Sequence, residues 1–227
     1  MKNMLMKSAL LVGTVAAGFV SVAPADASTF GFKNITGGAV VGDALSGDFS
    51  FEVTDQGSNT ALFRLFNKST NNSTQTPSIG QVAFDNRGGA LTGITALNVN
   101  NVSPSGVSFK LDLDNGNLPQ GNNLAPTFNT DFGARFASGG SSRIDVGEVL
   151  GLRLGYTTTF QSILNNLANG GLRVGIHVQE IANSSDSYIN QTTPIPTPAL
   201  LPGLIALGAG ILRKRNAEQM AEVETEA

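Results

Sequence analysis

Apolar and polar residues alternate with a period of two along most of the chain between residues 28 and 190, the pattern of strands with one buried face. In 47–55, Phe49, Phe51 and Val53 share a face. In 61–67, Phe63, Leu65 and Phe66 make the run apolar on both sides. Further strands are predicted over 79–85 and 91–102, separated by Asn86-Arg87-Gly88-Gly89. The clearest alternation is 106–114, where Val107, Phe109, Leu111 and Leu113 interleave with Ser108, Lys110, Asp112 and Asp114. Runs around Phe132–Phe136, 150–156 and 172–178 repeat the pattern. One short helix is expected: Phe160, Ile163, Leu164 and Leu167 follow helical spacing, and Asn169-Gly170-Gly171 stops it. It would cap the sheet between the last two strands. Such closely spaced strands, each with one apolar face, predict an all-β domain, an antiparallel β-sandwich of jelly-roll kind with one short helix.

The two ends break the pattern. Lys2 and Lys7 precede an uncharged apolar stretch over 8–22, followed by Ala25-Asp26-Ala27. A basic start, an apolar run of about 15 residues and a small-residue site describe a secretory signal peptide over 1–27, cut so that the mature chain starts at Ser28. The alternative is an uncut N-terminal anchor helix, for which the run is short beside the ~20 residues of a span.

After Tyr188 the composition shifts again. Residues 191–196 read as a Pro/Thr linker, because proline cannot enter a sheet interior. Ala199-Leu200-Leu201-Pro202-Gly203 then opens an uncharged apolar stretch to Leu212. Arg213-Lys214-Arg215 follow, and a short acidic tail over 216–227 closes the chain. An apolar segment meeting a basic cluster is a stop-transfer pattern, with the basic side cytoplasmic. As a helix, 197–212 is only ~24 Å long against a ~30 Å hydrocarbon core. That length suits a segment held while an enzyme cuts beside it better than a permanent anchor.

The run Pro196-Thr197-Pro198-Ala199-Leu200-Leu201-Pro202-Gly203, then the glycine-rich apolar stretch, then Arg213-Lys214-Arg215, resembles PEP-CTERM sorting signals. It looks most like the cyanobacterial variant beginning Pro-Thr-Pro-Ala (PTPA-CTERM), with Thr197 where the commoner motif has Glu. The resemblance spans about twenty residues of the 227. It implies recognition and cutting by an exosortase, a membrane transpeptidase-like enzyme, and a mature protein released or attached at the cell surface, often among exopolysaccharide. Residues 171–190 also look like the last strand and exit of domains in such sorted proteins, which implies architecture and location, not chemistry.

Charge and composition narrow the chemistry. The net charge is −3 and the middle has no basic stripe, which argues against nucleic-acid binding. There is no cysteine, so disulfides, thiolate metal sites and a cysteine nucleophile are excluded. His177 is the single histidine, expected at an exposed or edge position of a strand; a Ser-His-Asp triad would have to use it, and no Gly-x-Ser-x-Gly elbow accompanies it. Asp112-x-Asp114-Asn115-Gly116-Asn117 hints at a calcium loop but fails the EF-hand spacing, with Gly116 at an oxygen-ligand position and Asn123 where the bidentate Glu belongs. Asp112 and Asp114 are more simply the solvent face of a strand. Asp145 and Glu148 are the nearest approach to a paired-carboxylate hydrolase site, and read more simply as turn polarity. The absence of Trp, with only two Tyr, weakens a sugar-stacking site.

The sequence therefore predicts an exported surface or matrix protein with no cofactor and a structural or adhesive role. The alternative is a carbohydrate- or calcium-binding module on the same fold, held by an uncleaved membrane anchor.

Overall fold

The computed structural model describes residues 27–71, 75–103, 106–112, 117–139 and 142–196. The expected signal helix and C-terminal hydrophobic helix lie outside these residues. Within them are β1 (Ala27–Asn34), β2 (Phe49–Asp55), β3 (Thr60–Asn67), β4 (Gln75–Asp85), β5 (Leu91–Ala96), β6 (Phe109–Leu111), β7 (Phe132–Phe136), β8 (Val149–Tyr156), α1 (Phe160–Asn169), β9 (Arg173–Ile181) and β10 (Ser184–Ile195). A 3₁₀ helix, Val40–Asp48, joins β1 to β2.

All-β is the observed class. The strands form one continuous antiparallel sheet in the order β5-β8-β3-β2-β1-β10-β9-β4-β7-β6, curled into a nearly closed, barrel-like form. Two separately bonded sheets are not seen. The curl brings the sheet's two edges together. Just beyond β5, Asn98 donates to the Phe109 carbonyl and accepts its N–H, both at 2.9 Å, gripping β6. Asn101 bonds the Val107 carbonyl and accepts the Gly151 N–H, tying the same seam to β8.

One apolar core fills the interior. Phe30 and Phe32 of β1, Phe51 of β2 and Phe63 of β3 contact one another in series, and Phe63 meets Phe84 of β4 edge-on at 5.6 Å. Phe84 then stacks on Phe132 of β7 at 5.3 Å. This aromatic series runs from one wall to the other; each such pair adds about 0.5–1.5 kcal/mol beyond its buried area. Helix α1 closes one end with Ile163 and Leu167 fully buried. Thr159 caps it by accepting the Ser162 N–H, and Gly170 ends it at φ 80°, a left-handed value that glycine adopts without strain.

Several strands depart from the sequence reading. The 91–102 run ends at Ala96, because Asn98 and Asn100 take left-handed φ of 57° and 52° and turn the chain. The 106–114 run is a strand only over Phe109–Leu111; its alternation holds, but Leu111, level with Ala134, is 43% exposed, and Asp112, expected on the solvent face, is buried against Arg135 and Gln81. Helix α1 lies between β8 and β9, so the last strand follows it by one hairpin. The linker reading of 191–196 is corrected in part: 191–195 continue β10 against β1, where Phe30 faces Pro194 and Thr29 faces Ile195. β9 pairs with β10 only as far as Ile189, so Pro194 interrupts no ladder on that side.

Asn98→Ala removes the two bonds to Phe109 and puts alanine at a left-handed φ. It is expected to cost about 2–3 kcal/mol, read as a lower denaturant midpoint.

Candidate functional site

Of the residues expected at the two processing sites, Ala27, Ser28 and Pro196 are described, and they border the pairing of β1 with β10. Ala27 and Ser28 begin β1, facing Thr54 and Val53 of β2, and Thr29 lies between Glu52 of β2 and Ile195 of β10. Pro196 follows directly. Ala25, the motif residues 197–203 and the basic cluster 213–215 lie outside the described residues. Two steps along β1, from Phe30 to Phe32, match four along β10, from Pro194 back to Asn190, so the exit of β10 bulges. Gln191 at the bulge donates to the Phe32 carbonyl at 3.1 Å. Gly31 leaves the space that Ile195 and Gln191 occupy: a Cβ there would come to 3.4 Å from Ile195 Cδ1. Cutting after Ala27 would therefore leave β1 from Ser28 to Asn34, and cutting near Pro196 would leave β10 whole.

His177 is not at an edge. It sits on β9, inside the sheet, facing Ser187 of β10 on one side and Gln81 of β4 on the other. Its Nδ1 shares a 3.0 Å hydrogen bond with Ser187 Oγ. Burial pushes its pKa below the ordinary histidine value, partly opposed by a hydrogen bond to the Asp186 backbone. The contact does not assemble a triad. Ser187 is fully buried, out of reach of a substrate, and the neighbouring Asp186 carboxylate lies on the other side of the strand. There it accepts from Asn34 Nδ2 at 2.7 Å. Burial raises the Asp186 pKa, with the Ser187 N–H and Asn34 bonds opposing. Gly38 and Gly42 pack directly over this carboxylate, and the Tyr188 hydroxyl donates to the Gly42 carbonyl, so the 3₁₀ helix is pinned to β10.

His177 belongs to a polar row crossing five strands, Lys110–Arg135–Gln81–His177–Ser187. Asp112 joins it, with Oδ1 3.6 Å from Arg135 and Oδ2 accepting from Gln81 at 3.3 Å. Asp112 is thus spent inside the row; Asp114 to Gly116 lie outside the described residues. Asp145 and Glu148 shape the turn before β8: Glu148 is buried and its Oε2 accepts the Asp145 N–H at 2.8 Å. Burial, then Glu148 and Glu180, raise the Asp145 pKa, while Arg143 opposes. Among the described residues no three His, Asp or Glu side chains form a metal-holding group.

The most elaborate polar cluster escaped sequence reading. Asp85, fully buried at the end of β4, accepts from Arg173 Nη2, from Arg87 at 3.2 Å and from the Asn129 N–H at 3.0 Å. Arg173 also donates to the Pro126 and Thr127 carbonyls at 2.7 Å and lies over the Phe128 ring at 5.2 Å. These bonds strap the segment 117–131 across the outer face of the sheet, where Leu118 and Phe128 pack on Ala83 and Ile189. Gly175 makes room, since a Cβ there would strike Leu118. Asp85 and Arg173 stand 88 residues apart, with no spacing signal to link them.

No protein-family model, curated protein or solved structure matches the chain.

Two measurements check this description. A depressed His177 pKa adds stability at pH above about 6.5 that is lost as pH falls through the native value. His177→Gln is therefore expected to flatten the stability profile between about pH 7 and 5, where the parent loses stability. Arg173→Ala leaves the Asp85 carboxylate buried without its main partner and is expected to cost about 3–5 kcal/mol in denaturant unfolding.

Proposed function

We propose that this chain is an exported cell-surface or extracellular-matrix protein with a non-enzymatic, structural or adhesive role. Its address is the C-terminal signal resembling the Pro-Thr-Pro-Ala variant of PEP-CTERM, processed by an exosortase-type membrane enzyme. The observation that supports this reading is that the core lies between the two expected cuts. The buried apolar residues run from Phe30 to Ile189, and β10 ends at Ile195, one residue before Pro196. A domain so placed keeps its core through both cuts. The product from Ser28 to Pro196 carries nine basic and twelve acidic residues, and Arg213-Lys214-Arg215 stay on the cytoplasmic side.

In this reading the curled sheet, with its walls facing across one core as in a jelly-roll sandwich, is a display scaffold. The buried Ser187 and the internally engaged Asp112, Glu148 and His177 fit a scaffold better than a hydrolase. At the surface, contact with exopolysaccharide falls to the loops.

Intact-mass measurement of the protein from its native host tests this. The expected mass runs from Ser28 to near Pro196. A mass that still contains the first 27 residues removes the export reading, and one that runs on to Ala227 replaces processing with a retained anchor.

A further inference from the structure

We propose that the pairing of β1 with the end of β10 is a clip that seats the barrel on a phospholipid bilayer by the end carrying α1. This rests on the reading of 197–215 as a membrane segment. The first support is reach. Ile195 is level with Thr29 and Glu52, and β2 runs three residues further, to Asp55, before the exposed turn 56–59. That is about 10 Å at strand rise, so a chain leaving Ile195 in the same direction needs about three residues to draw level with the turn. The apolar segment starts within that distance, at Thr197. While the clip is closed there is no slack to hold the domain away from the membrane; if 191–195 were a free linker, the tether would lengthen by five residues.

The second support is charge. The surface at this end is the turn Gln56-Gly57-Ser58-Asn59, the exposed threonines Thr157, Thr158 and Thr159, and a helix without a single charged residue. The acidic groups there are tied into turns: Asp55 accepts from the Gly57 N–H and the Tyr156 hydroxyl, Asp85 accepts from Arg87, and Asp131 accepts from the Asn86 N–H; the exposed Lys33 beside Asn169 and Gly170, and the α-amino group that the expected cut leaves at Ser28, add positive charge. The opposite end carries Asp43, Asp48, Lys68, Arg143, Asp145 and Glu180. An end whose carboxylates are engaged and whose remaining charge is positive approaches headgroups without facing anionic lipid with like charge.

The chain has no cysteine, so single labels are specific. The protein with its C-terminal segment retained is reconstituted in phosphatidylcholine vesicles holding headgroup-nitroxide lipid. A fluorophore is placed on Thr158→Cys at the α1 end, or on Thr70→Cys at the other. Severalfold stronger quenching at position 158 is expected. Inserting about 20 Gly/Ser residues after Ile195, a tether reaching about 25 Å, is expected to bring position 158 down to the level of position 70. Equal quenching at both positions in the parent, or a difference that survives the insertion, overturns the clip. Failure of the parent to co-sediment with vesicles instead removes the membrane-segment reading on which the clip rests.

Discussion

β1 lies between β2 and β10, and every other feature of the architecture depends on that position. On one side stand β2, β3, β8 and β5; on the other, β10, β9, β4, β7 and β6. Within the sheet the walls are joined through β1; Asn98 and Asn101 at the far seam, the Asn67 bond to the Pro77 carbonyl and the Ile79–Ile144 bridge also tie one to the other. β1 and β10 are also the first and last strands among the described residues, and their pairing brings together residues more than 160 positions apart, such as Thr29 and Ile195. Contacts of that separation form late, because loop closure comes before their reward. The hydrogen-bonded join through β1 therefore waits for the last described strand.

The same pairing explains what the sequence concealed. Strands with inward Phe, Val and Leu at period two were legible: β2, β3, β7, β8 and β9 lie close to their expected limits, and α1 was legible from its spacing and its glycine stop. β1 and β10 were not. β10 buries Asp186, Ser187, Tyr188, Ile189 and Asn190 in succession, so polarity alternates with nothing. Each polar member is admitted by one distant partner: Asn34 for Asp186, His177 for Ser187, the Val174 N–H for Asn190. No local pattern announces such partners. With the two linking strands unread, the remaining strands divide into two groups, and a sandwich is the natural inference from them.

The outer face was misread for a related reason. A strand's second face is expected to be polar, but here it is partly covered by straps of the same chain. Segment 117–131 lies over Ala83 and Gly175, and the loop after β5 lies over Gly151, whose missing side chain admits the Val99 carbonyl. Small residues on the outer face record these close approaches. The Asp85–Arg173 cluster holds one strap down, and the polar row through Gln81 and His177 runs beside it. Of the candidate site, the expected signal and sorting motifs are read from contiguous sequence; the pairing of β1 with β10, which sets Thr29 level with Ile195, was not legible, since it follows from tertiary contact alone.

The asparagine seam has a consequence for life in a crowd. Open sheet edges present unpaired N–H and C=O groups and invite strands from neighbouring molecules. β6 is only three residues long, and the side chains of Asn98 and Asn101 occupy backbone groups of Phe109 and Val107 that would otherwise face outward. Copies packed densely in one layer can thus touch without their sheets fusing, and stay separate molecules at concentrations where an open sheet would polymerise.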